Sequence, residues 1–333
     1  MAKGRLGIEI GNSRVKIVEM KNDEIVNYAA LDLPANVVRN EEIISWDGMR
    51  DFLRTAVKEN RFSAKQVYLA LPDNAVYLRR LTLPLMTEKQ LAVNLPYEFH
   101  DFLTGDKEQY LYDYMVLDRV KHENGPEELE LIGVAISKEL MTSYQNLFKD
   151  AGLKLVQAAP QSLTYSNLLK HADEGKAKED FAILDVGYAA TRVTIYARGQ
   201  YYTSRDIERG CEYLAAKVAD IMHVDDHIAS LYLVGNNQGV MDRPELIDAC
   251  GDIAVDVMRA INYYTYENRD NNLETLYVCG GGEGIPQLLK AIQETVPLNL
   301  VSLRTLSEGI VKDSLAMAAC PSAIGMCWNG EDD

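Results

Sequence analysis

The stretch LGIEIGNSRVKIVEM, residues 6–20, decides how this chain folds. Apolar side chains alternate with other residues in two short runs, the period-two pattern that is typical of β-strands. The small polar residues 11–13 separate the runs and predict a tight turn. The stretch therefore predicts a β-hairpin whose first strand carries an acid, Glu9, two residues before Gly11.

A second stretch, FAILDVGYAATRVTIYARG (residues 181–199), repeats the same plan. It has an alternating strand pattern, an acid at Asp185, a glycine two residues later at Gly187, a small turn and another strand pattern. Glu9 and Gly11 thus have counterparts in the second half of the chain. A repeated supersecondary unit of this kind predicts two related halves.

A third glycine-rich corner, CGGGEGIP (residues 279–286), joins a strand pattern to a helix that is expected to begin near Pro286. The glycine spacing fits neither a Rossmann fingerprint nor a Walker A loop. Two interpretations stay open from the residues alone. The loop either lets a ligand approach a helix N-terminus closely, or it is simply a tight turn between strand and helix.

The chemistry of these corners suggests phosphate binding. A glycine lets the backbone approach a bulky anion, and successive amides in a tight turn can point at phosphate oxygens. Ser13 and Thr191 add hydroxyl groups. Glu9 and Asp185 are the candidate metal residues, because a carboxylate next to a phosphate site can hold Mg²⁺ through water.

Composition excludes several other functions. The 333 residues suggest two domains, and the formal net charge of −16 argues against nucleic acid or an anionic membrane as the main partner. The five cysteines form no C-x-x-C pair, which favours a reducing cytoplasm over a disulfide or zinc framework. No apolar segment is long enough for a membrane-spanning helix, so direct membrane insertion is not expected.

Between the repeated halves, residues 75–152 carry a β-α-β-β-α pattern that predicts a small inserted α+β module. Arg79 and Arg80 lie on its first strand, and Tyr97 and Phe99 lie on its first helix. The two arginines either form a charged wall for a partner peptide or simply face solvent, and the aromatic pair either lines the same groove or packs the module itself.

The three corners, in this order, resemble the phosphate-1 hairpin, phosphate-2 hairpin and adenosine loop of the actin-like ATPase superfamily. LKLVQAAPQSLTYSNLLK and SLAMAACPSAIGMCW resemble its two connecting helices. The inserted module lies where the FtsA cell-division proteins and the PilM type IV pilus assembly proteins carry an extra subdomain. The sequence around ALPDNAVYLRRLTLPLMTEKQL is most similar to that of the PilM family. The acidic end CWNGEDD differs from the basic membrane helix that ends FtsA.

The resemblance implies an α/β fold of the actin-like, ribonuclease H-like kind, duplicated into two lobes around a nucleotide cleft, with the inserted α+β subdomain. The expected division is a first lobe of residues 1–74, 153–178 and 305–333, the inserted subdomain of residues 75–152, a second lobe of residues 179–212 and 277–304, and its helical part, residues 213–276.

The resemblance also implies a cytoplasmic scaffold of type IV pilus or type II secretion-like assembly that binds ATP or ADP with Mg²⁺. It would dock the N-terminal peptide of PilN, a bitopic inner-membrane protein, in a groove beside Arg79, Arg80, Tyr97 and Phe99, and be recruited to that membrane by this partner. The residues expected to bind nucleotide are Gly11, Asn12, Ser13 and Lys16, then Gly187, Ala189, Ala190 and Thr191, and finally Gly280, Gly281 and Gly282.

Several departures from the family pattern predict weak or absent hydrolysis. Glu9 replaces an aspartate, and Tyr188 stands where a small residue is usual, so its ring is expected to crowd the phosphates. The first connecting helix offers no acid to activate water, only Gln157, Ala158, Ala159 and Gln161. Ser230 and Leu233 fall where groups that contact ribose and base are expected. An ATP-hydrolysing or phosphotransferring relative of sugar kinases and a self-associating, FtsA-like filament protein remain the alternatives.

Overall fold

A computed structural model describes residues 4–122, 125–172, 178–307 and 314–328. Its two largest sheets have five strands each, in the orders β10-β6-β1-β2-β3 and β13-β12-β11-β14-β15. The strands of the first are β1 (Arg5–Ile10), β2 (Arg14–Lys21), β3 (Glu24–Asp32), β6 (Gln66–Leu71) and β10 (Lys154–Pro160). Those of the second are β11 (Phe181–Val186), β12 (Thr191–Ala197), β13 (Gln200–Ile207), β14 (Thr275–Cys279) and β15 (Asn299–Ser302).

The two sheets have the same topology. In each, a central strand pairs antiparallel with the next strand of its hairpin and parallel with a strand on its other side. The third strand of each meander and a second parallel strand complete the order. The predicted duplication is therefore present in the strand order itself.

Helices fill the segments between and after these strands. They are α1 (Trp46–Glu59), α2 (Glu88–Glu98), α3 (Lys138–Asp150), α4 (Gln161–Ala172), α5 (Cys211–Met222), α6 (Asp226–Gly235), α7 (Pro244–Glu267), α8 (Pro286–Thr295), α9 (Ser314–Ala319) and α10 (Pro321–Cys327). Ser45 and Thr87 cap α1 and α2 through their side chains, as their positions predict. Pro96 lies inside α2, which ends two residues later instead of breaking at the proline.

The inserted part of the chain forms a three-stranded sheet of order β7-β9-β8, built from β7 (Tyr77–Pro84), β8 (Tyr110–Val120) and β9 (Glu128–Ser137). A short hairpin, β4 (Val38–Arg39) and β5 (Glu42–Ile43), precedes it in the first lobe. Helix α2 covers one face of the three-stranded sheet, and Phe99 lies at the centre of this small core. Helix α3 instead packs on α1, where Tyr144 meets Trp46 edge to face at 5.3 Å between ring centroids. The division of the chain stays a prediction, and this packing favours ending the inserted subdomain before α3.

The lobes share a core beneath the cleft. Tyr165 and Leu168 of α4 pack in one cluster with Val18 of the first sheet and with Phe181 and Tyr196 of the second. The rings of Phe181 and Tyr196 stack at 4.6 Å between centroids. Helix α4 therefore contacts both lobes and connects them.

Helix α10 lies directly against strand β1. A Cβ atom at Gly7 would lie 1.9 Å from the carbonyl oxygen of Ala323, so only glycine permits this approach. The run of small residues in α10 thus allows the close packing of this helix on β1. None of the helices in the described ranges has the length and apolar character needed to cross a bilayer. The last five residues of the acidic end, residues 329–333, lie outside the described residues.

Candidate nucleotide cleft

The two predicted hairpins are built on the same turn. The amide of Gly11 donates to the carbonyl oxygen of Arg14, and the amide of Gly187 donates to that of Ala190, at 2.9 Å in both cases. In each hairpin the acid precedes the glycine by two residues and lies near the end of the central strand. The sequence prediction of two equivalent corners is confirmed at the level of the backbone.

The tips of these turns carry amides that lie outside the strand pairing. Within the described part of the chain, four of them donate to no protein acceptor, namely those of Asn12, Ser13, Tyr188 and Ala189. Such successive amides form the kind of concave donor set that binds anions. The side chain of Asn12 is engaged elsewhere, because its oxygen accepts from the amide of Glu41 at 2.7 Å.

Glu9 and Lys16 form a buried ion pair within the first hairpin. They face each other across β1 and β2, and the Lys16 Nζ lies 2.5 Å from the Glu9 Oε1. The other oxygen, Oε2, accepts from the hydroxyl of Ser322 in α10. Burial alone would lower the pKa of Lys16, but the carboxylates of Glu9 and Asp185 outweigh it and raise that pKa well above its ordinary value. Lys16 therefore stays charged and lies in the field of both candidate metal acids.

Asp185 is held by uncharged donors from α4. Its Oδ2 accepts from the Gln161 amide at 3.0 Å and from the Tyr165 hydroxyl at 2.9 Å. Burial, followed by the charge of Asp185, raises the pKa of Tyr165 well above its ordinary value, so the phenol remains a donor. The Gln161 oxygen in turn accepts from Arg192 at 3.3 Å. Both ends of the Gln161 amide are thus occupied, and it is not free to orient a water molecule.

The third corner packs tightly on the second hairpin. Gly280 has φ +87°, and a Cβ atom there would lie 2.4 Å from the Asp185 Oδ1. A Cβ atom at Gly282 would lie 2.2 Å from a side-chain carbon of Val186. Gly281 faces the Cys211 sulfur, which would lie 3.7 Å from a Cβ atom. Two of the three glycines therefore have a structural reason, and the adenosine role of the loop stays a prediction.

The start of α5 docks on the tip of the second hairpin. The amides of Cys211 and Glu212 donate to the carbonyl oxygens of Gly187 and Tyr188, at 3.0 and 2.9 Å. Burial raises the pKa of Tyr188, and the acids that add to this effect are Glu212 and Asp226, which begin α5 and α6. The carboxylates at the starts of these two helices therefore act on the Tyr188 hydroxyl.

Two expectations about individual residues differ from the structure. Thr191 is fully buried and donates to the carbonyl oxygen of Arg209 at 2.7 Å, so its hydroxyl is not offered to a ligand. Residues 157–159 lie on strand β10, not on the connecting helix, which begins at Gln161. At the positions where contacts to ribose and base are usual in the family, Leu233 is buried in the core of the second lobe and the Ser230 hydroxyl donates to its own helix backbone, so neither replaces the charged groups that the sequence lacks there.

The four residues expected at a partner groove do not share one surface. Neighbouring residues on a strand point to opposite faces, so Arg79 stacks on Phe102 at 3.7 Å while Arg80 pairs with Glu130 at 2.7 Å. Phe99 is completely buried in the core under α2. The fourth residue, Tyr97, is largely exposed, with the ammonium of Lys107 over its ring. A groove that contains all four is therefore wrong, because the strand alternation separates the two arginines and packing buries Phe99.

A charged cluster between the lobes was missed from the sequence. Arg192 follows the second hairpin turn and contacts Glu41, Asp73 and Asp206. The one sequence signal is an arginine in a strand whose other residues are uncharged. Nothing in the local pattern shows that its partners lie in the other lobe.

Comparison with known proteins identifies the fold and the family. Residues 7–317 match the family described as type IV pilus assembly protein PilM. A chain of the solved PilM–PilN type IV pilus biogenesis complex has 18% identity and a TM-score of 0.83, and the match covers 99% of both chains.

More distant structures share the architecture. The ethanolamine utilization protein EutJ from Carboxydothermus hydrogenoformans has 13% identity and a TM-score of 0.61, over 98% of this chain and 90% of that chain. MreB5 of Spiroplasma citri, solved with ADP, has 13% identity and a TM-score of 0.53, over 90% and 92%. These similarities confirm the predicted actin-like fold. From the extent of the family match, the chain belongs to the PilM family of type IV pilus assembly proteins.

Proposed function

We propose that this protein is a scaffold of type IV pilus assembly whose inserted subdomain docks the N-terminal peptide of a PilN-like inner-membrane protein. The proposal places the protein at the cytoplasmic face of the inner membrane, held there by that partner. Family membership and the similarity to the PilM–PilN complex support it. The single observation that carries it is an exposed apolar surface on strand β8.

This surface, the β8 ledge, consists of Leu111 and Met115. Their exposed fractions are 43% and 37%, although both are apolar. Their partners across the sheet are Ile136 and Ile132, which are buried where the inserted sheet packs on the rest of the protein. Among the described strands, β8 pairs only with β9, which places it at the edge of the sheet, and near its end the carbonyl oxygen of Leu117 accepts from the Gln200 side chain at 2.8 Å. An edge strand with exposed apolar side chains is suited to binding an extended peptide.

Fluorescence anisotropy with a labelled N-terminal peptide of the PilN-like protein from the same pilus gene cluster tests the docking. We expect Leu111→Asp and Met115→Asp to weaken binding by about tenfold or more, since a charge would be buried under the peptide. Val93→Asp is the matched control, because Val93 is 67% exposed and lies on α2, which covers the opposite face of the sheet. Equal weakening by all three variants would contradict the β8 ledge as the docking site.

We also infer that ATP or ADP binds in the cleft between the two hairpins. MreB5, which has the same fold, was solved with ADP. In this chain the charged Lys16 and the free amides at the two tips are suited to phosphate oxygens. Asp185 is the acid that fits a water-held Mg²⁺, since only its Oδ2 accepts hydrogen bonds from the described residues. Glu9 fits less well because Lys16 and Ser322 occupy both of its oxygens.

The same geometry favours binding over turnover. Hydrolysis needs a group that orients or deprotonates water, and the Gln161 amide is occupied at both ends. Thermal melting with ADP, Mg-ATP and ATP in EDTA measures binding through the mass-action rise in melting temperature. A rise without phosphate release supports the proposal. Steady phosphate release would favour the enzyme alternative, and sedimentation of large assemblies with ATP would favour a filament.

A further inference from the structure

One buried guanidinium joins the two lobes. Arg192, on β12 of the second lobe, is only 6% exposed and donates to Asp206 of its own sheet at 2.6 and 3.1 Å. It also donates to Glu41 at 3.2 Å and lies 3.6 Å from Asp73. Glu41 and Asp73 belong to the first lobe, in the turn between β4 and β5 and directly after β6. Arg192 is thus shared between acids of both lobes.

The first lobe holds Glu41 in place through its backbone. Asn40 and Glu41 have φ angles of 51° and 63°, a conformation that costs energy for residues other than glycine. The amide of Glu41 donates to the Asn12 side chain at 2.7 Å, and the carbonyl oxygen of Asn40 accepts from Asn74 at 3.0 Å. The tip of the first hairpin therefore supports the strained turn that presents Glu41 to Arg192.

Asp73 presents a buried atom to the same guanidinium. Its Oδ1 accepts from the amide and hydroxyl of Ser162 at 3.1 and 3.0 Å. Its Oδ2 is buried and has no hydrogen-bond partner among the described residues, and the nearest cation is Arg192. A buried carboxylate oxygen without a hydrogen bond is costly, so Asp73 gains from the presence of Arg192.

Arg192 also reaches the candidate site. It donates to the Gln161 oxygen at 3.3 Å, and the Gln161 nitrogen donates to Asp185 at 3.0 Å. An amide has one accepting end and one donating end, so the contact with Arg192 decides which end faces Asp185. The contacts run without a break from Glu41 through Arg192 and Gln161 to Asp185.

We propose that Arg192, Glu41 and Asp73 form an interlobe latch that keeps the two lobes closed and at the same time orients Gln161 toward Asp185. Arg192 is a positioning residue in this arrangement. Opening of the lobes separates Arg192 from both first-lobe acids and releases Gln161 from its fixed orientation. Closure of the lobes needs no nucleotide, and only the link to Asp185 rests on the proposed nucleotide site.

Hydrogen exchange of the full chain without nucleotide tests the latch. We expect Arg192→Gln to raise amide exchange in residues 38–43 by about tenfold, because charged hydrogen bonds across the lobes are lost. Small-angle scattering is expected to show a larger radius of gyration. Arg209→Gln is the matched control, since Arg209 pairs with Asp256 inside the second lobe at 2.6 Å and its removal leaves the interlobe contacts in place.

Glu41→Gln tests the same contact from the first lobe and guards against misfolding of the Arg192 variant. If Arg192→Gln and Glu41→Gln both exchange like the wild type, the latch is wrong. Repeating the measurement with Mg-ATP separates the two proposals. Protection by Mg-ATP with unchanged exchange in both variants overturns the latch alone. Faster exchange in the variants without any effect of Mg-ATP on the wild type supports the latch and overturns the nucleotide site.

Discussion

The two hairpins have the same backbone turn, but their acids have different kinds of partner, a cation in one hairpin and uncharged hydrogen-bond donors in the other. Both turns close with a 2.9 Å hydrogen bond from the glycine amide. Glu9 is then neutralised by a cation of its own hairpin, Lys16. Asp185 instead accepts from two uncharged groups of α4, Gln161 and Tyr165.

The two hairpins share one feature despite this difference, which is a helix that begins beside each acid. Gln161 begins α4 directly after Pro160, and Ser322 follows Pro321 at the start of α10. Each of these helix starts hydrogen-bonds to one hairpin acid, Gln161 to Asp185 and Ser322 to Glu9. The duplication therefore extends to the placement of the helices, while the side chains give each acid a different environment. The repeated backbone sets where the acids lie, and the neighbouring side chains decide whether they are free for a ligand.

The largest effect is expected from removing the cation of the first hairpin. Lys16→Met leaves Glu9 buried without its partner, which costs about 3–5 kcal/mol of unfolding free energy. Lys21→Met, on the same strand, is the control and is expected to cost less than about 1 kcal/mol because Lys21 is half exposed. Without Lys21, its partner Glu19 still accepts hydrogen bonds from the amides of Ser63 and Ala64. Urea unfolding measures both, and equal costs would contradict a buried ion pair at Glu9.

The next effect concerns the loop behind Asp185. Gly280→Ala places a methyl group against the Asp185 carboxylate and strains a backbone with φ +87°, and we expect a loss of about 2–4 kcal/mol. Gly284→Ala is the control, since a Cβ atom there meets nothing within 4 Å. Denaturant unfolding of both variants checks this. A cost for Gly280→Ala that does not exceed the cost for Gly284→Ala would show that the loop can move away from the second hairpin.

A third prediction compares the acids directly. Asp185→Asn changes a carboxylate whose partners are uncharged donors, so we expect a loss of only about 1 kcal/mol. Glu9→Gln is expected to cost more, because it leaves the ammonium of Lys16 without its paired charge. Mg-ATP should raise the melting temperature of the wild type but not of Asp185→Asn. If both substitutions cost the same, the different partners of Glu9 and Asp185 do not change what each acid contributes to stability.

Local patterns were enough to predict the hairpins and most helices. Two-residue alternation marked β1 and β11, the β-α-β-β-α pattern marked the inserted module, and the glycine run marked the turn before α8. The prediction that residues 157–159 lie on the first connecting helix was wrong, because a short apolar segment has no clear period, and residues 154–160 form a strand.

Long-range contacts were not predictable. Arg192 and Glu41 are 151 residues apart, and their contact depends on how the two lobes close. The burial of Phe99 was also not predictable, although its contacts lie within the inserted module. The sequence left open whether Phe99 lines a partner groove or packs the inserted module, and only the packing of α2 on the three-stranded sheet shows that it is buried in the core of the module.

The smallest expected effect is on the pH dependence of stability. It should differ between Glu19, an acid held inside one lobe, and Glu41, an acid held between the lobes. Burial would raise the pKa of Glu19, but hydrogen bonds from Ser63 and the charge of Lys21 outweigh it and lower that pKa below 4.5. Burial raises the pKa of Glu41 above 4.5, and the attraction of Arg192 only partly offsets this.

The signs of the two pH effects are therefore opposite. A lowered pKa means that Glu19 stabilises the fold above pH 4.5 and loses this contribution as the pH falls through its lowered value. A raised pKa means that the contribution of Glu41 is complete below pH 4.5 and is lost as the pH rises through its raised value. The unfolding free energy of each variant, Glu19→Gln and Glu41→Gln, is subtracted from that of the wild type at each pH. The two differences should change with pH in opposite directions. Parallel slopes would show that the interlobe acids are no more desolvated than an acid inside one lobe, and the contrast between the two kinds of site would fail.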